Sequence, residues 1–124
     1  MIGTNFLLDT NAIIYLLKGE KELNSILHSK STVYISVIGV IEYLSFNNLT
    51  QEEINTFEDF CENVIILDLS SNKKDIQNII MLRKKYSLKT PDAIAVNAAM
   101  GVSAELITGD GDLFKISEVS ILKI

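Results

Sequence analysis

The chain has 124 residues, 48% of them hydrophobic and 22% charged, the size and balance of one folded domain with its own core, which excludes a disordered chain. A net charge of −5 excludes nucleic-acid binding by bulk electrostatics alone, although carboxylates offset by divalent cations are compatible with it. With Cys61 and His28 the only residues of their kinds, an internal disulfide and a Cys/His zinc site are excluded, and no local motif gives His28 a Ser or Cys partner.

No apolar run reaches the roughly 18 residues a membrane span needs. The apolar N-terminus has no basic leader and is interrupted by Asp9, which argues against a signal peptide and for a cytoplasmic protein. Lys73, Lys74, Arg83, Lys84, Lys85 and Lys89 gather in one stretch. Most of them read as a solvated helix face, with phosphate contact as a second use for a few.

Asn5–Leu8 is a short apolar run that stops at Asp9, the pattern of a buried strand ending in a carboxylate. Asn11 is placed to cap a helix over about Ala12–Lys18, with Gly19 as its stop. Lys21–His28 reads as a second short helix, and Val33–Ser36, β-branched and containing Tyr34, as a strand. Val37–Phe46 carries Val37, Ile38, Ile41, Tyr43 and Leu44, the content of a mostly buried helix. Glu52–Glu62 is amphipathic, with Ile54, Phe57 and Cys61 on one side. Val64–Leu67 is an apolar run of strand length, and Ser70–Tyr86 a long helix with Ile76, Ile79, Ile80 and Arg83 at spacings of three and four. At Thr90-Pro91 a cap residue precedes a proline at the first helical position, and that helix runs to about Met100 with Gly101 after it. Glu105–Thr108 is a strand that empties into Gly109-Asp110-Gly111-Asp112. Asp112 is placed to cap a turn over Leu113–Ile116, and Val119–Lys123 is a final strand. Strands alternating with helices predict a three-layer α/β/α domain over residues 1–124, with a mostly parallel sheet of about five strands.

In such sheets ligands bind beyond the carboxyl ends of the strands. Asp9 ends the first strand, Asp110 follows the fourth, Asp92 opens a helix at the same edge, and Glu42 lies on the helix after the second strand. Each has a plain structural use as well. Asp9 serves a strand-to-helix turn, and Asp92 suits the first turn of a helix dipole. Glu42 interrupts an otherwise nearly uncharged helix, with the small Gly39 and Ser45 leaving room beside it, or it lies on a solvated edge. Asp110 and Asp112 sit in a Gly-rich turn where Asp is common, and Asp112 reads as the cap. Together, however, three or four converging acids without basic partners repel one another, and a cation relieves that repulsion. Oxygen ligands suit Mg²⁺ or Mn²⁺, and such a site predicts phosphodiester or phosphomonoester hydrolysis.

Leu7-Leu8-Asp9-Thr10-Asn11, Val40-Ile41-Glu42-Tyr43, Pro91-Asp92-Ala93-Ile94-Ala95 and Leu106-Ile107-Thr108-Gly109-Asp110-Gly111-Asp112-Leu113-Phe114, in this order and spacing, resemble the PIN-domain family over nearly the whole chain. A single-domain chain of this length is similar to the VapC-like toxins of toxin–antitoxin pairs. The resemblance implies an Mg²⁺- or Mn²⁺-dependent endoribonuclease, a homodimer, and an antitoxin peptide occupying the active-site groove. It also implies an acidic quartet of Asp9, Glu42, Asp92 and Asp110. Asp9 and Asp92 would be the principal metal ligands, Asp110 and Glu42 would complete the site, and Asn11 and Thr108 would orient the acids. Asp112 matches the second acid of the last motif. Gly109 and Gly111 imply a looser turn around Asp110 than bulkier residues would give.

Two other readings compete. An apolar strand ending in Asp also opens phosphatases of the haloacid dehalogenase type, but there a second Asp should stand where this chain has Asn11, and the chain is short for that fold. The other is a PIN-like module that binds protein or RNA without cleaving, which the acidic net charge and the mean hydropathy of +0.26 favour.

Overall fold

The computed structural model describes residues 4–19, 21–27 and 31–124, so His28 lies outside the described residues. Its centre is β1 (Asn5–Leu8), flanked by β2 (Thr32–Ser36) and β4 (Glu105–Thr108), with β3 (Ile65–Leu67) and β5 (Ile121–Lys123) at the edges. The order is β3-β2-β1-β4-β5 and every pairing is parallel. Between the strands run α1 (Thr10–Leu17), α2 (Lys21–Ile26), α3 (Val37–Leu44), α4 (Gln51–Cys61), α5 (Lys73–Tyr86) and α6 (Thr90–Gly101).

The apolar run of β1 reflects burial on both faces, because a central parallel strand has no solvent side. Its alternate side chains serve different cores. Leu7 and, on β4, Leu106 pack with Leu82, Val96 and Leu113. Phe6, Leu8 and Ile107 pack with Ile13, Tyr43 and Phe57 on the opposite face. There the Tyr43 and Phe57 rings stack at 4.3 Å between centroids. The two cores make the three layers expected from the alternation of strands and helices.

From β1 the chain builds outward through β2 to β3, then returns to lay β4 on the other side of β1. Successive connections therefore leave β1 and β4 in opposite directions, which opens a crevice at their carboxyl ends. Leu8 pairs with Ile107, so the next residues, Asp9 and Thr108, meet at that crevice.

Several boundaries differ from the sequence expectations. The cap of α1 is Asp9, not Asn11: the backbone is still extended at Asp9, whose side chain accepts from the Ala12 N–H, while Asn11 is already inside the helix. The turn after β4 is a 3-10 turn over Gly111–Leu113 capped by Asp110, not Asp112, because the chain leaves β4 extended only as far as Asp110. Lys89, not Thr90, is the N-cap of α6, without a side-chain cap bond, and the helix includes Gly101. Helix α5 starts at Lys73, capped by Asn72, while the Ser70 hydroxyl bonds to Asp75. The last strand shortens to Ile121–Lys123, although the Ser120 carbonyl still accepts from Leu106 N–H at 2.8 Å. Among the described residues no helix is long and apolar enough to cross a membrane.

Candidate active site

Asp9 enters the crevice as the last extended residue before α1, and both its carboxylate oxygens are held. Oδ1 accepts from Ala12 N–H at 2.9 Å, and Oδ2 accepts from the hydroxyl of Thr108. Thr108 is fully buried and in turn accepts from Asp110 N–H at 3.0 Å. Asp110 Oδ1 accepts from Asp112 N–H at 2.9 Å. One chain of bonds thus runs from the end of β1 across the end of β4 and into the turn beyond it.

Asp92 arrives from the first turn of α6, which its Pro91 and Lys89 open. Glu42 arrives from α3, where its Oε1 accepts from the Thr10 hydroxyl at 2.7 Å. All four acids line one cavity of about 240 Å³, with Thr10, Asn11, Ser36 and Gly39 also in its wall. At about 30 Å³ per water, this is room for a hydrated cation and a phosphate group.

The acids repel one another here. Burial pushes the Asp9 carboxyl above its ordinary value, the bonds from Thr108 and Ala12 pull it down, and the charges of Asp110 and Glu42 push it up again. Asp92 is pushed up to about 6, first by burial and then by the charges of Asp110, Asp9 and Glu42, with Lys89 acting in the other direction. A divalent cation would relieve this stress, and the all-oxygen donor set suits a hard one. Among the described residues no three carboxylate, imidazole or thiolate groups stand close enough to grip one ion together. The arrangement fits an ion such as Mg²⁺ that takes one or two carboxylates directly and water for the rest.

Each residue singled out from the sequence can now be placed. Asp9, Glu42, Asp92 and Asp110 line the same cavity, and the Thr108 hydroxyl donates to Asp9. Asn11 is exposed at the cavity wall, and among the described residues no hydrogen bond ties it to an acid. The Asp112 side chain stays outside and exposed. Gly39 is buried and leaves room as expected, but Ser45 is exposed and turns its hydroxyl back to the Ile41 carbonyl. The turn at Asp110 is not loose. A bond at each end holds that residue, and a Cβ on Gly109 would stand 3.3 Å from the Tyr15 ring. Sequence reasoning assigns no role to Thr10 or Ser36, and names Lys89 only as part of the basic stretch. Thr10 was visible as the neighbour of Asp9, but its partner Glu42 is distant in the chain.

The PIN domain matches residues 6–119 of this chain. No curated protein matches it. Among solved structures, the chain is similar to a toxin–antitoxin complex from Klebsiella pneumoniae, at 29% identity over 95% of this chain and 98% of that one, with a TM-score of 0.77. It is also similar to VapBC2 from Rickettsia felis bound to a DNA fragment from their promoter, at 20% identity over 98% and 99% of the two chains, with a TM-score of 0.81. The likeness to VapBC-1 from nontypeable Haemophilus influenzae has 24% identity, 97% and 98% coverage and a TM-score of 0.71. The last two likenesses show the shared fold.

Proposed function

The chain belongs to the PIN-domain family, and from that premise we propose that it is a metal-dependent endoribonuclease, the toxin of a VapBC-type toxin–antitoxin pair. The observation that carries this reading is the convergence of Asp9, Glu42, Asp92 and Asp110, from four separate elements, in one cavity at the carboxyl ends of β1 and β4. The family match sets aside the phosphatase alternative.

In this reading Asp9 and Asp92 would hold Mg²⁺ or Mn²⁺ directly and Asp110 would reach it through a water, and the bound ion would offset phosphate charge and acidify a water. The protein's part is placement. Ala12 N–H and Thr108 fix the plane of the Asp9 carboxylate, which lines the cavity. Asp110 is held by its own cap. Asp92 presents a carboxylate whose proton leaves near pH 6 without a cation, so a cation there competes with protons. Glu42 and Asp110 orient the attacking water, aligning it with the scissile bond. Lys89 is the cation acting on Asp92.

The remaining assignments belong to the same proposal. A groove with Ile14, Leu17, Tyr43, Phe46 and Leu49 as its apolar lining, and Lys18, Thr50, Glu52, Glu53 and Thr56 as its polar lining, adjoins the cavity, and Phe46 lines both. This supports an antitoxin segment that lies in the groove and reaches the acids. Exposed Ile76, Ile80 and Met81 on α5 and Leu69 before it support a homodimer. The compartment is the cytoplasm. The same groove favours the second reading, a module that binds a partner and does not cleave.

The test is cleavage of a mixed structured RNA by purified protein with Mg²⁺, with Mn²⁺ and with chelator. Cutting that needs the metal and stops with chelator supports the nuclease. Folded protein that neither cuts nor binds metal at millimolar concentration supports the binding module. Sedimentation at high micromolar concentration checks the dimer.

A further inference from the structure

Of the four acids in the cavity, Glu42 has the longest side chain and is exposed. Asp9 and Asp110 each receive a backbone N–H, and Asp92 sits in the first turn of α6. Glu42 has neither, and its bond comes from the Thr10 hydroxyl at 2.7 Å. An exposed glutamate spreads over many rotamers unless something holds it.

The reason Thr10 can hold it is local and then tertiary. Thr10 is the first residue of α1. Inside a helix a threonine hydroxyl commonly bonds back to the carbonyl four residues earlier. Here that residue is Phe6, in β1, so the hydroxyl is free to donate elsewhere. Helix α3 then comes close enough to receive it. Thr10 and Ile13 share one face of α1, and Gly39 and Glu42 one face of α3, each pair three residues apart. A Cβ on Gly39 would lie 3.5 Å from Ile13 Cδ1 and 3.9 Å from Thr10 Oγ1. Those are van der Waals distances, so the first turn of α1 lies directly against α3 at the level of Glu42.

We propose that Thr10 is a positioning residue for the reaction: its hydroxyl takes Oε1 of Glu42 and thereby turns Oε2 to the cavity, toward the hydrated cation and its attacking water. This rests on the nuclease reading above, because Glu42 matters only if the cavity holds a cation. Thr10 touches neither substrate nor ion in this assignment. It acts through Glu42 alone, which makes the proposal separable from a general packing role.

The experiment is a double-mutant cycle on the full chain, read by calorimetry of Mn²⁺ binding without RNA and by RNA cleavage with Mn²⁺. Thr10→Val keeps the shape and removes the donor, and thermal melts establish that each variant folds. Loss of an outer partner of this kind costs about tenfold or more in metal affinity or activity. Thr10→Val is expected to weaken Mn²⁺ binding and slow cleavage by about tenfold on that basis, and Thr10→Ser to recover most of the loss. In a Glu42→Ala background, Thr10→Val is expected to add nothing. Equal losses in both backgrounds overturn the proposal, since Thr10 would then act by packing. So does an unchanged Thr10→Val beside an Asp9→Asn variant that has lost Mn²⁺, a result that leaves the nuclease reading intact. If wild type takes up no Mn²⁺, or Asp9→Asn binds it as wild type does, the reading beneath fails as well.

Discussion

The buried hydroxyl of Thr108 donates to the carboxylate of Asp9 across two neighbouring parallel strands, and the same oxygen accepts from Asp110 N–H. A valine of the same shape would leave Asp110 N–H without its acceptor and Asp9 without its donor. An unsatisfied buried polar group costs about 1–3 kcal/mol. Thr108→Val should therefore lower stability by about that amount, and cut the cleavage rate about 10- to 100-fold by releasing the Asp9 carboxylate. Thr108→Ser should keep most of both. Denaturant unfolding and single-turnover cleavage check the two effects separately.

The raised Asp92 carboxyl makes the metal-free fold sensitive to pH. Its folded value of about 6 lies above the ordinary 3.8. The group's contribution to stability is therefore complete below about pH 4 and is lost as pH rises through about 6. Asp92 is only part-buried, so the effect is at most ~2 kcal/mol after solvent screening. Asp92→Asn should accordingly raise the melting temperature of the metal-free protein more at about pH 8 than at about pH 4. Added Mg²⁺ should stabilise wild type at high pH, and the Mg²⁺ needed should rise as pH falls below about 6, where protons compete. Melts across pH, with and without Mg²⁺, check both.

Asp110 and Asp112 are separated by one residue and by very different surroundings. Asp110 lines the cavity and caps the 3-10 turn, whereas Asp112 contributes its backbone N–H and leaves its side chain in solvent. Asp110→Asn keeps a good capping side chain and removes the charge. It should leave the metal-free melting temperature at or above that of wild type, because one repelling charge is gone, while lowering cleavage about 100-fold or more, the scale expected when a positioned catalytic group is lost. Asp112→Ala should leave cleavage within about twofold, as for surface substitutions away from a site. Melting curves and cleavage rates of the two variants side by side decide this.

How much of this can be read from the chain alone depends on what each residue answers to. β1 and β4 are legible because burial makes Phe6–Leu8 and Leu106–Ile107 apolar, and Asp9 stands out against the first of these runs. Asp92 and Asp110 are legible as acids at the mouths of elements on one sheet edge. The caps are less so. Asp9-Thr10-Asn11 offers three polar residues, and the extended backbone leaving β1 decides among them, not their individual preferences. The edge position of β3 is also hidden. Val64–Leu67 looks like any core strand, yet Ile65 and Ile66 are 48% and 40% exposed, because strand order decides which run lies at the border. The Thr10–Glu42 bond depends on the packing of α1 against α3 at Gly39, a long-range contact that no local pattern records.

The most direct test of the central claim is the rate of Mn²⁺-dependent RNA cleavage by Asp9→Asn and Asp92→Asn beside wild type, prepared identically and shown to be folded. Both substitutions keep side-chain shape and remove one charge from the cavity, so cleavage should fall by orders of magnitude in each if these acids hold the cation. Cleavage by both variants at the wild-type rate would contradict the account, because the acids that converge between β1, α6 and β4 would then play no part in the chemistry.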